Sequence, residues 1–279
     1  MSKMLRLELF KIFRRPRTYI SFLIMTAVTF LIQLAMYVDG TSFVSFAMAG
    51  VGEQFDIGGN ILNGYLVTYL VLQSLLIHIP LLVALVAGDA LAGEANMGTL
   101  RLLLTKPVSR TGIVLVKFAA SIFYALLLLI WLAVVGLGLS ILLFGTGDMI
   151  NLKSDAFVML LEHDIMWRYM LAFGFAALAM TTVAALSVFL SVFGDNSIGP
   201  IIGTMGIIVV LTIFSNLEVP LFNVVKPWLF TTHMIAWKGF FDNPVPYDAI
   251  LQSVMVLVVY IILFIMATIV VFNKKDIQS

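Results

Sequence analysis

The sequence has no cysteine among its 279 residues. That excludes disulfides, cysteine-ligated zinc and thiol nucleophiles. Charge is scarce: 11% of residues are Asp, Glu, Lys or Arg, against about 25% in ordinary soluble domains. No G-x-x-x-x-G-K-[ST] phosphate loop occurs, and no glycine is followed by lysine anywhere, so that route to nucleotide hydrolysis is closed. The long apolar segments carry no Asp, Glu, Lys or Arg deep inside them. Such a charge costs about 2.5–3.5 kcal/mol at a helix centre, and those retained mark ion or proton pathways. An ion-coupled transporter is therefore not expected. Internal repeats of the kind secondary transporters show are missing too. No A-x-A-like site cleanly follows the first apolar segment, which is read as a retained helix rather than a signal peptide. The formal net charge of +1 points to no nucleic-acid partner.

What fills the chain is apolar surface. Hydrophobic residues make up 62%, more than a soluble fold of this size can bury, so the expected solvent is a membrane. Six segments are long enough to cross it: about 18–38, 66–88, 113–144, 169–193, 197–216 and 249–272. The third exceeds what crossing requires and is expected to tilt or project. With both termini inside, twelve basic residues fall on the inner side, including Arg101, Lys106, Arg110, Lys117, Lys274 and Lys275. Only Lys153, Arg168, Lys226 and Lys238 fall outside. This bias makes both ends cytoplasmic. Polar groups in the spans are few: Gln33, Gln73, Ser74, His78, Thr181 and Thr182. They read either as interhelical hydrogen bonds or as the lining of a substrate path. His78 precedes Ile79-Pro80 and is placed to bond a carbonyl freed by a proline kink.

The segment "GTLRLLLTKPVSR", residues 98–110, lies between spans two and three on the inner side. Gly98 breaks the preceding structure and Thr99 suits an N-cap. A short helix is expected from Leu100 to about Lys106, ended by Pro107. Leu100, Leu103 and Leu104 share one face, with Arg101 and Lys106 elsewhere. At the N-terminus, Leu5, Leu9, Ile12 and Phe13 form a stripe at helical spacing, with Arg6, Lys11, Arg14 and Arg15 around the rest. Such a helix should lie in the inner headgroup layer.

The run Glu94 to Arg110, with Gly98-Thr99, a leucine-rich turn and Pro107-Val-Ser-Arg110, resembles the cytoplasmic signature of ABC transporter permeases of the type-two exporter superfamily. Residues 5–19 resemble that family's elbow helix. The resemblance implies an all-α integral membrane protein, a single permease domain over 1–279. It would have six transmembrane helices, an elbow over 1–17, a coupling helix within 94–110 and short re-entrant outer helices over 217–247. It implies a prokaryotic inner-membrane exporter subunit and two copies of a separate ATPase subunit, which bind the ATP and Mg. A second permease, identical or paralogous, completes the path. The chain itself is expected to hold no cofactor and no metal and to be no enzyme. Coupling would rest on Glu94, Gly98, Thr99, Leu100, Arg101, Leu103, Leu104, Lys106, Pro107 and Arg110. Glu94 would either pair with Arg101, Lys106 or Arg110 or be solvated. The rival reading is an ATPase-coupled membrane protein that transmits force and moves no solute.

Residues 217–247 are apolar but interrupted by Pro220, Pro227, Pro244 and Pro246. They read as short outer helices with Trp228, Phe230, Trp237, Phe240 and Phe241 at headgroup depth, either as an anchoring belt or as an outer gate. Gly145-Thr-Gly-Asp148 fits an intramembrane aspartyl-protease pattern but lacks the second embedded Asp. Gly136-x-Gly138 marks close helix packing. Glu162, His163, Asp164 and His233 are the residues an outer metal could draw on.

Overall fold

The computed structural model describes residues 2–48, 61–99, 108–152, 157–217 and 219–275. It is an all-α membrane protein with one small hairpin. Helix α1 (Ser2–Arg14) stops short of Pro16, which opens α2 (Pro16–Met48) at the position where a missing N–H does no harm. Thr18 ties α2 back to α1 by donating to the Ile12 carbonyl at 2.5 Å. Helix α2 runs past the expected boundary at 38. Asp39, at φ −136°, bends it there, and the helix resumes to Met48.

The segment expected as the second span forms two helices rather than one. Helix α3 (Gly64–Ser74) and α4 (His78–Ala87) meet at 55°. Pro80 lacks the N–H that would reach back across the break, and the His78 ring bonds the Ser74 carbonyl at 3.1 Å. Helix α5 (Asp89–Asn96) follows directly. Helix α6 (Arg110–Leu132) is capped by Ser109. It passes through a π-helical turn at Ala133–Gly138 into α7 (Leu139–Phe144). Gln33 of α2 fixes that turn, donating to Val135 and Gly136 carbonyls and to Ser140 Oγ at 2.9, 3.3 and 2.9 Å. Gly64 sits against the backbone of Ser140 and Ile141, where any Cβ would collide.

An antiparallel hairpin follows, with strand β1 (Met149–Leu152) on β2 (Phe157–Leu160) and Met149 opposite Leu160. Helix α8 (Glu162–Ser191) is the hub. It packs against α4, α6, α9 (Ile198–Asn216) and α12 (Tyr247–Lys274). Between α9 and α12 lie α10 (Pro220–Asn223), a 3-10 turn Lys226–Trp228, α11 (Phe230–Met234) and a 3-10 segment Ala236–Phe241. Among the described residues five helices are long and apolar enough to cross a membrane, and the bent α3–α4 pair passes the same test jointly. Apart from α8, these spans turn most of their apolar surface outward. That surface is for lipid or another subunit to cover.

Candidate functional site

Helix α5 carries two buried carboxylates, Asp89 and Glu94. Its first turn is capped from outside: Ser191 at the end of α8 accepts the Leu91 and Ala92 N–H groups at 2.8 and 2.9 Å. Gly98, at φ +66°, turns the chain away after α5, a conformation that only glycine adopts freely.

Two ion groups surround these carboxylates. In the first, Glu94 accepts from Lys11 at 2.7 Å and Lys117 at 3.3 Å, while the Thr99 hydroxyl donates to its other oxygen. Glu8 accepts from the same two lysines, each at 3.0 Å. Each ammonium thus bridges two carboxylates. In the second, Asp89 pairs with Arg15 and with Arg17, the latter at 2.8 Å, and accepts from the Ser197 hydroxyl. A cavity of about 30 Å³ separates the groups, lined by members of both together with Thr18 and Ser121. The cluster ties α1 and the start of α2 to α5, α6 and the start of α9.

Burial is decisive here. Lys117 is 3% exposed and Glu94 4%, so neither can lose its partners cheaply. Burial by itself would raise the Glu94 carboxyl. Lys117, Lys11 and Thr99 outweigh it and hold the group at about 2. Burial would likewise lower Lys11, but the hydrogen bonds it donates to Glu94 and Glu8 raise it instead. The arrangement is an ionic lock. Among the described residues no group of His, Asp or Glu is placed to hold a metal.

Several sequence expectations need correction. Glu94 does not pair with Arg110 and is not solvated; its partners come from α1 and α6. Arg110 instead caps α12, donating to the carbonyls of Phe272, Asn273 and Lys275 at 3.1, 3.1 and 2.9 Å. Thr99 donates back to Glu94. Leu100, Arg101, Leu103, Leu104, Lys106 and Pro107 lie outside the described residues. In α1, Leu5, Leu9, Ile12 and Phe13 are half-buried, as the stripe requires. Arg14 is exposed over the Phe10 ring, whereas Lys11 and Arg15 turn inward to carboxylates.

The polar span residues divide. Gln73, Ser74 and His78 are exposed at the break between α3 and α4. Thr182 is buried and bonds its own helix at Leu178, and half-buried Thr181 does the same at Ala177.

At the other end, the expected aromatic belt is mostly core. Only Trp228 stays out, at 73% exposure, while Phe230, Trp237, Phe240 and Phe241 are buried. Phe241 meets Tyr169 and Tyr69 edge-on at 4.8 and 5.3 Å. Their depth follows from Arg168, 5% exposed on α8. It binds Asp164 and donates to the carbonyls of Phe240 and Asp242 at 2.7 and 2.8 Å. His233 has both ring nitrogens occupied, by Ser253 and the Pro227 carbonyl. Asp148 accepts from the Glu162 N–H, and its carbonyl accepts from Asn63, the N-cap of α3.

Sequence reasoning missed Glu8, Asp89, Arg17 and Lys117 as one cluster. The available signal was acids stranded among the bases of the positively charged side. No curated protein matches the chain. A family described as "Protein of unknown function (DUF2705)" matches residues 22–278, and the chain belongs to that family.

Proposed function

We propose that the chain is the membrane subunit of an ATP-binding cassette exporter in a prokaryotic cytoplasmic membrane. A separate ATPase subunit supplies the energy. On this reading both termini face the cytoplasm, residues 98–110 contact the ATPase, and a second permease completes the path. The observation that carries the reading is the Glu94 lock. It fastens α1 and α6 to the short helix that leads into the Gly98–Arg110 segment. A push on that segment is felt at once by α1 and by the third span, because Lys11 and Lys117 share the same carboxylate oxygen. Exposure of Gln73, Ser74 and His78 supports a path between two subunits rather than inside one bundle.

The test is recruitment. The chain is co-expressed with an ABC ATPase encoded beside it, with and without Leu103→Asp/Leu104→Asp. The expected result is loss of co-purification and at least a tenfold fall in stimulated ATP turnover, with unchanged behaviour in gel filtration. Recruitment and turnover equal to wild type would overturn the reading. Solute movement in vesicles separates export from force transmission.

A further inference from the structure

The segment of residues 98–110 is fastened at both ends, and by different means. At its entry Thr99 donates to the Glu94 carboxylate, which Lys11 and Lys117 hold. At its exit Ser109 caps α6 by accepting the Gly112 N–H at 3.1 Å. The next residue, Arg110, turns its guanidinium to a different helix. Its Nη1 donates to the carbonyls of Phe272, Asn273 and Lys275 at the end of α12. The last carbonyls of a helix have no partner within it, and a cation there also meets the negative end of the helix dipole. No glycine closes α12; Lys275 leaves it in extended backbone. The guanidinium stands where such a cap would otherwise be.

The connection does not stop at α12. Lys275 Nζ donates to the Val192 carbonyl at 2.7 Å, and Val192 is the C-cap of α8. A series of hydrogen bonds thus runs from Arg110 to α12 and from α12 to α8, the helix against which α4, α6 and α9 also pack. Every acceptor in the series is a backbone carbonyl. Such an acceptor moves only with its helix, whereas a side chain can turn away by changing rotamer. No carboxylate takes part in these four bonds, so acid that releases Glu94 leaves them intact.

We propose that Arg110 is a positioning residue of the export cycle: it passes displacement of the 98–110 segment to α12 and, through Lys275, to α8. Glu94 passes the same displacement to α1 and α6. The proposal rests on the export reading and adds a second branch to it. It also gives Arg110 a role apart from the rest of its segment, because its side chain is committed to α12 rather than to the ATPase.

The experiment uses the full chain in complex with an ABC ATPase encoded beside it. Arg110→Gln is expected to co-purify with the ATPase as wild type does, and to lower stimulated turnover at least fivefold with KM for ATP unchanged. Arg110→Lys is expected to recover part of that loss, since an ammonium keeps the charge without the planar fork. Lys275→Gln leaves Arg110 in place and tests the far half of the series; a smaller fall in turnover is expected. Hydrogen exchange should quicken at 271–275 in Arg110→Gln and stay as in wild type over 89–96. Turnover equal to wild type in both glutamine variants, or unchanged exchange at 271–275, overturns the proposal and leaves the export reading standing. Loss of co-purification in Arg110→Gln also overturns it, by making Arg110 a docking contact. A wild-type chain that recruits no ATPase overturns both.

Discussion

At one end of the bundle α1 is fastened through Glu8, Lys11, Glu94 and Lys117. At the other, the short helices of residues 220–241 are fastened by Phe230, Trp237, Phe240 and Phe241 and by the guanidinium of Arg168. Both attachments hold a peripheral element against spans, but by different physics. Aromatic packing carries no titrating group, so acid does not undo it. Ion pairs depend on geometry and protonation, and a buried one fails abruptly when a partner is removed. The aromatic end is thus built to stay in place. The ionic end can be released by conditions that leave the rest of the bundle intact.

The comparison can be broken from either side. The largest effect is expected from Phe241→Ala, which removes a fully buried ring from between Tyr69 and Tyr169. The loss should be about 3–5 kcal/mol, seen as a lower melting temperature and faster hydrogen exchange over residues 220–241. Unchanged exchange there would mean that Arg168 alone holds the segment.

Glu94→Gln comes next, at up to about 3 kcal/mol, below a fully broken buried pair because Glu8 still faces Lys117. This effect is tied to pH. The Glu94 carboxyl is held at about 2, below its ordinary 4.5, so its contribution is complete above about 4.5 and is lost as pH falls towards 2. Melting temperatures of wild type and Glu94→Gln should therefore converge in that window, while the gap between wild type and Phe241→Ala persists. A gap for Glu94→Gln that is constant across the window would contradict the lock.

The smallest effect belongs to Lys11→Ala. Lys11 is partly exposed, and Lys117 still covers both carboxylates. About 0.2–1 kcal/mol is expected, read as a shift in melting midpoint that added salt diminishes.

Hydropathy made the long helices legible, because apolar runs of that length have few alternatives. The end of the first was placed at 38, where Asp39 does bend the chain, but the helix goes on to Met48. Arg168 was read as lying outside the fourth span, yet α8 begins at Glu162 and buries it. A charge inside a helix end is tolerated when Asp164 and two carbonyls receive it, and those carbonyls lie 72 and 74 residues away. The lock was hidden for the same reason. Glu94 is 83 residues from Lys11, and Lys117 is 109 from Glu8, so no local pattern joins them. The hairpin of residues 149–160 escaped notice because four-residue strands carry too little alternation to read. Aromatic residues between prolines suit a headgroup belt as well as a core, and only the Arg168 clamp distinguishes the two.

The wide turn at Ala133–Gly138 has a consequence for the rod that contains it. Each residue beyond the turn is rotated about the axis by roughly 100° relative to an unbroken helix. This rotation lets one helix face Glu8 and Glu94 with Lys117 at its foot and still present Ser140 to Gln33 and the Ile141 backbone to Gly64 near its top. Were the extra residue absorbed elsewhere, the upper part would swivel away from Gln33 and Gly64 while the foot stayed put. The two ends of the rod could then change their mutual facing with no bend at any hinge.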